Sequence, residues 1–259
     1  MEGSEMKSTL LIAWIAIREL LYEKVFYVLL FFLILSQGLS LLLGQLTYSE
    51  QSKLTVDFML GGMEISMVLF SVFMGISLFQ KELSLGSISM TLSKPVFRSQ
   101  FLLGKFFGQL VVQSLVIMGM GLTTVFCASR FGSDFSAIGI MQASLMVVLQ
   151  VAVLTSVTYL FSVGTNGTLT AIATLGVYVI GHLKGSMATS ASGKAPGALW
   201  AFVRSIFPDL EIFNIKTLVS YGYGVGIEQV GWCALYTLLC ITIFLGIASF
   251  SFNRRDILT

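Results

Sequence analysis

Charge is what this chain has least of. Asp, Glu, Lys and Arg make up 11% of its 259 residues, about half of what a soluble domain of that length carries. The net charge of +2 forms no basic stripe with interleaved aromatics, which excludes a nucleic-acid surface. Cysteine is scarce too. Cys127, Cys233 and Cys240 are odd in number, sit in or beside apolar runs and lack metal-ligand spacing, so they read as small buried hydrophobes. The single histidine, His182, has no cysteine, second histidine or carboxylate pair near it in sequence, so neither a metal set nor a catalytic triad is apparent. No G-x-x-x-x-G-K-[ST] occurs: Gly104-Lys105 is followed by Phe106, and Gly193-Lys194 by Ala195. The chain therefore cannot cradle ATP in the P-loop manner. A cleaved leader is not expected either, because the region before the first apolar run is long and mixed in charge, and no small-residue cleavage site follows.

Hydrocarbon is what the chain has in plenty. Hydrophobic residues make up 56% and mean hydropathy is +0.90, which marks an all-α integral membrane protein, read here as one transmembrane domain over residues 1–259. Six spans are expected, each long enough to cross about 30 Å of hydrocarbon. They run from about Val25 to Leu46, Phe58 to Phe79, Phe101 to Ala128, Ala137 to Val163, Thr168 to Leu183 and Val230 to Phe250. The first gains on the order of 5 kcal/mol on insertion before Gln37 and its serines subtract. Spans four and five are separated only by Gly164-Thr165-Asn166-Gly167, short but rich in turn formers.

An even number of spans puts both termini on one side, and the basic residues choose it. Lys7, Arg18 and Lys24 precede span one; Lys81, Lys94, Arg98 and Lys105 lie around the second loop; Arg254 and Arg255 follow span six. The opposite short loops hold only Lys53 and Arg130, and four more are spread through one long loop that weighs less. Both termini are thus expected in the cytoplasm of a bacterial cell, with the chain multi-pass in its inner membrane.

Two segments flank the spans. Within residues 1–24, Leu10, Trp14, Ile17 and Leu21 repeat at helical spacing with Arg18, Glu19 and Glu23 off that stripe. This predicts an amphipathic helix in the inner interface. The outer loop, 184–229, is too short for a folded domain; Pro196 opens a short apolar helix there, stopped at Pro208-Asp209, that would lie on or dip into the outer leaflet. An irregular loop with scattered apolar residues is the alternative.

The stretch "KELSLGSISMTLSKPVFRSQFLLGKFFG", Lys81 to Gly108, is longer than a turn between two spans requires. Ser84 can cap a short helix with Leu85, Ile88 and Leu92 on its apolar side, and Pro95 closes it by disfavouring helical geometry at Lys94. A cytoplasmic helix held between two spans over residues 80–100 suits a grip for a soluble partner; a solvated connector also fits the spacing.

Glu82, Gly86, Leu92-Ser93-Lys94-Pro95, Arg98 and Phe101-Leu102-Leu103-Gly104-Lys105 together resemble the segment between spans two and three of ABC-2-type transporter permeases. Ala16 to Phe32 and Phe252 to Ile257 are similar to that family's opening and ending, and the likeness is strongest to its small six-span members, such as the permeases of nitrous-oxide reductase maturation and of gliding. The resemblance implies a homodimer of permeases, each docked on one of two copies of a separate ATP-binding subunit that holds ATP and magnesium. It implies coupling through Lys81, Glu82, Ser84, Leu85, Gly86, Ile88, Leu92, Lys94, Pro95 and Arg98. No catalytic, metal or cofactor residue is expected on this chain itself, and a periplasmic accessory protein is a further implied partner.

Polar residues inside the spans are the remaining candidates. Glu64, deep in span two, is costly there unless it faces water or a partner, with Lys184 or Arg130 the expected pair. Gln109 and Gln113 share a face of span three, as Gln142 and Gln150 do of span four; interhelical hydrogen bonds and a translocation path explain them equally well. Gly104-x-x-x-Gly108 and Gly181-x-x-x-Gly185 would let helices approach closely. The leading function is an exporting permease. A mechanotransmitting membrane subunit, a secondary transporter and an intramembrane enzyme are the alternatives. The last two lack an inverted repeat and a nucleophile–base pair respectively.

Overall fold

The structure, a computed structural model, describes residues 2–45, 51–84, 98–131, 136–190 and 207–254. Among them there is no strand. The helices are α1 (Glu2–Tyr22), α2 (Lys24–Gln45), α3 (Gln51–Ser84), α4 (Arg98–Phe131), α5 (Ala137–Gly164) and α6 (Gly167–Ser190), followed by α7 (Lys216–Ser220) and α8 (Ile227–Arg254). A 3₁₀ turn, Glu211–Phe213, precedes α7.

Five of these helices are long and apolar enough to cross a membrane, over Lys24–Leu43, Lys53–Phe79, Ser99–Arg130, Ala137–Gly164 and Ile227–Phe252. They coincide with five of the six expected spans. The remaining one, Thr168 to Leu183, is helical within α6, but Thr168, Thr170, Thr174, Tyr178 and His182 dilute its hydrocarbon, and Lys184 follows directly. The expected break before it is present. Ser136 caps the start of α5 by accepting from Gly139 N at 3.1 Å. The helix then ends at Gly164, with Thr165 N donating back to Phe161 O at 2.9 Å.

Burial ranks the helices. α3 and α5 are the centre, with 67% and 61% of their spanning residues buried, against 22% for α2 and for α8. α5 packs on α3, α4, α6 and α8, and α2 lies against α3. The outward faces of α2 and α8 carry Phe31, Ile34, Leu35, Leu238 and Ile243, as surfaces solvated by lipid chains do.

We call the end where α3 stops and α4 starts the base, and the opposite end the cap. At the base, α1 lies across α4. A Cβ on Gly108 would sit 2.7 Å from Ala13 O and 2.9 Å from Ala16 Cβ, so glycine there is what lets the two backbones touch. The stripe of α1 that is buried is Ala16 and Leu20, whereas Leu10 and Trp14 are exposed. Ala16 and Leu20 thus meet the bundle, while Leu10, Trp14 and Leu21, three residues of the stripe expected from spacing, face outward.

Candidate functional site

A carboxylate buried in a bundle of hydrocarbon must be explained, and Glu64, 1% exposed, is the clearest such group here. It lies on α3, and three other helices bring polar groups to it. Gln150 Nε2 on α5 donates to its Oε1 at 2.7 Å, and Tyr178 OH on α6 donates to the same oxygen at 3.1 Å. His182 Nε2, one turn further along α6, is 3.0 Å from Oε1. That is close enough for an ion pair, but out of line for a hydrogen bond. Lys216 on α7 donates to Oε2. Burial without partners would cost several kcal/mol; paired and hydrogen-bonded, the charge is held in place.

The pairing expected from the sequence is corrected. Lys184 donates to Phe207 O instead, and Arg130 lies over the Phe126 ring at 5.2 Å. The partner is Lys216, from the long loop. Sequence reasoning missed it because nothing in the spacing of a loop lysine says that its chain folds inward. The available hint was a lone lysine inside an apolar stretch, with Leu210, Phe213, Ile215 and Val219 all buried around it.

Those apolar anchors make residues 207–226 a cap seated on α3, α5 and α6. Besides Lys216, three polar clasps fix it. Lys184 holds Phe207 O, and Asp209 N donates to Tyr236 OH at 2.8 Å. Gln142 exchanges two hydrogen bonds with the Val225 backbone, each 3.0 Å. Gly222, at φ 82°, supplies the left-handed turn that leads back to α8. At Gly181 an added Cβ would lie 2.8 Å from Leu210 Cγ. The close approach at Gly181 is thus to the cap, and that at Gly108 to α1. The short helix expected from Pro196 lies outside the described residues.

A second polar seam runs between α3, α4 and α5, nearer the base. Gln109 Nε2 donates to Ser71 O at 3.1 Å, and Tyr159 OH donates to Gln109 Oε1 at 3.1 Å. Thr155 links Ser71 at 2.8 Å with Gln113 Oε1 at 3.1 Å. Gln109 and Gln113 are both 0% exposed. Glu64 shares no partner with them, so the three candidate path residues belong to two networks, both of them interhelical.

At the base, Lys105 is 2% exposed and ties three helices. Its Nζ donates to Leu78 O of α3 at 2.7 Å and to Glu19 Oε2 of α1 at 3.3 Å. Of the ten residues expected to couple to an ATPase, Leu85, Gly86, Ile88, Leu92, Lys94 and Pro95 lie outside the described residues. Lys81, Glu82 and Ser84 end α3 and Arg98 begins α4, described as backbone only.

Two apolar clefts open between helices. One, about 490 Å³, lies between α2 and α4 with α3 beneath. The other, about 460 Å³, lies between α4 and α8. Neither is lined by Glu64, Gln109 or Gln113. Among the described residues no group of His, Cys, Asp and Glu is arranged to hold a metal ion.

The family model described as "ABC-2 family transporter protein" matches residues 10–257, nearly the whole chain, and the chain belongs to that family. No curated protein matches it.

Proposed function

From its place in the ABC-2 transporter family, we propose that this chain is the permease subunit of an ATP-driven exporter in a bacterial inner membrane. The motor is a separate ATP-binding subunit carrying ATP and magnesium, two copies of which serve two copies of the permease. α6 serves as the sixth span, and the base, with both termini, faces the cytoplasm, as the basic residues around it favour. α1 then lies at the inner interface with Trp14 toward the headgroups.

One observation carries this reading. α3 and α4 are continuous helices of 34 residues each, about 50 Å long, and they flank the stretch 85–97. Each exceeds the hydrocarbon thickness by about 20 Å, so a push on that stretch acts on two rigid rods. Lys105 joins the rods at the base; within the bundle Gln109–Ser71 joins them again, and Thr155 of α5 bridges Ser71 and Gln113. Motion delivered at 81–98 would shift that seam first and the Glu64 network beneath the cap afterwards. In this scheme Glu64, Gln109 and Gln113 line the path only in the shifted state.

The ordered cap favours a second reading, in which the same stroke acts on a periplasmic partner seated on residues 207–226. Co-reconstitution with the ATPase tests both. Glu82→Lys or Gly86→Leu should leave insertion intact while uncoupling ATP hydrolysis from transport. If neither change alters coupling, the grip lies elsewhere. Transport lost on blocking the cap from outside, with stimulated hydrolysis retained, would favour the second reading.

A further inference from the structure

The cleft between α2 and α4 has the dimensions of a ligand site. Both helices pack on α3, and Met59 of α3 contributes to the cleft lining between them. The lining extends from Leu30 to Leu41 on α2 and from Val116 to Cys127 on α4, a rise of about 16 Å along each helix. That is the depth of one leaflet of an about 30 Å core. Spread over this length, 490 Å³ leaves a cross-section of about 30 Å², whereas a helix about 10 Å across needs more than twice that. One extended hydrocarbon chain fits wholly within it, whereas another protein's helix would have to lie across its mouth.

Two glycines make the room. Gly38 and Gly119 line the cleft from opposite walls, and a Cβ on either would meet nothing within 4 Å. Unlike Gly108 and Gly181, they serve no close approach of backbones. The polar part of the lining is sparse and specific. Thr123 already donates to Met120 O at 2.7 Å. Gln37 Nε2 donates to Met59 O at 3.0 Å, which fixes the amide's orientation, because Met59 O can only accept. Gln37 Oε1 is buried and meets no donor among the described residues. An unmatched acceptor in an apolar cleft selects for a ligand that brings a donor. Gln37 lies about 6 Å from the cap end of the lining and about 10 Å from its other end.

We propose that this cleft binds one hydrocarbon chain of a lipid-like amphiphile, its head toward the cap, with a hydroxyl or amide N–H donating to Gln37 Oε1. The site requires a bilayer but no coupling to ATP, so it stands apart from the function proposed above. A resident membrane lipid and an exported amphiphile share this chemistry.

The test uses the full chain in nanodiscs with two photoactivatable probes, a diazirine-bearing hexadecanol and its methyl ether, which lacks the donor. The alcohol should cross-link to peptides covering 30–41 and 116–127, about fivefold more than the ether, as one neutral hydrogen bond provides. Gln37→Leu should erase that preference while leaving labelling by both probes. Gly119→Leu should abolish labelling there without lowering the melting temperature, while Gly246→Leu in the α4–α8 cleft should not.

Labelling unaffected by Gly119→Leu would mean bulk lipid contact only and would overturn the proposal. So would an alcohol preference that survives Gln37→Leu, or a cross-link between two copies through Gly38→Cys that excludes the probes. Adding the ATPase and ATP separates the two sources: labelling that falls with turnover identifies cargo, and constant labelling a resident lipid. Either result sustains the site.

Discussion

Replacing Lys216 with methionine should undock the cap. Glu64 is 2% exposed at its side chain and Lys216 is 20% exposed, so the lysine is the partner that water can reclaim and the carboxylate is the one that cannot leave. Removing the lysine strands a buried charge, which costs about 3–5 kcal/mol in comparable cases. Gln150 and Tyr178 still donate to Glu64 and His182 Nε2 stays 3.0 Å from it, so the lower figure applies. At tenfold per 1.4 kcal/mol, about 3 kcal/mol shifts the docked–undocked equilibrium of residues 207–226 roughly a hundredfold. Hydrogen–deuterium exchange in nanodiscs reads this directly, as faster exchange of the Ile215, Val219 and Tyr221 amides, each bonded within the cap. Glu64→Gln alone should cost only about 1 kcal/mol, because the amide still pairs and the freed lysine can reach water. The double variant should return close to Glu64→Gln. Exchange in Lys216→Met within about threefold of the parent, or additivity of the two changes within about 0.5 kcal/mol, would refute the idea that this pair fastens the cap.

Three further changes probe the contacts that order the rest. Gly108→Leu forces side-chain atoms into the α1 backbone at Ala13; about 1–3 kcal/mol of overpacking should lower the melting temperature and speed amide exchange in 10–21. Lys105→Met leaves Leu78 O and the Glu19 carboxylate without this donor, and should destabilise by about 2–3 kcal/mol. Adding Glu19→Gln should recover part of that loss in the same melting assay. Gly181→Val pushes against Leu210 and should raise exchange in 207–213 while leaving α1 untouched.

Five helical spans were legible in the sequence because lipid imposes a simple rule: about twenty apolar residues in a row, bounded by charge. Even the Gly164–Gly167 break was readable from turn chemistry, and α5 does end there. Which face of a helix meets its neighbours was not. In a bilayer the outward face is as apolar as the inward one, so the packing of Ala16 on α4 through Gly108 left no mark in the pattern. The Glu64 network was half legible. An acidic residue in a span announces a partner, and Gln150 stands out as a polar residue in the span that faces it. Lys216 was hidden, because a 3₁₀ turn and one short helix carry it back to α3, and pairings through irregular loops leave no periodicity to read. The α2–α4 cleft was invisible for a similar reason, since it depends on how two helices diverge over a third.

The central claim is that the stretch from Lys81 to Arg98 receives its stroke from a separate ATPase. Replacing Ile88 with the photoreactive benzoylphenylalanine, in cells making both proteins, tests it most directly. The account predicts an ultraviolet-dependent cross-link from position 88 to the ATP-binding subunit, weakened by Glu82→Lys. Position 88 reached only by a membrane-impermeant reagent from outside the cell, with no cross-link to the ATPase, would contradict it.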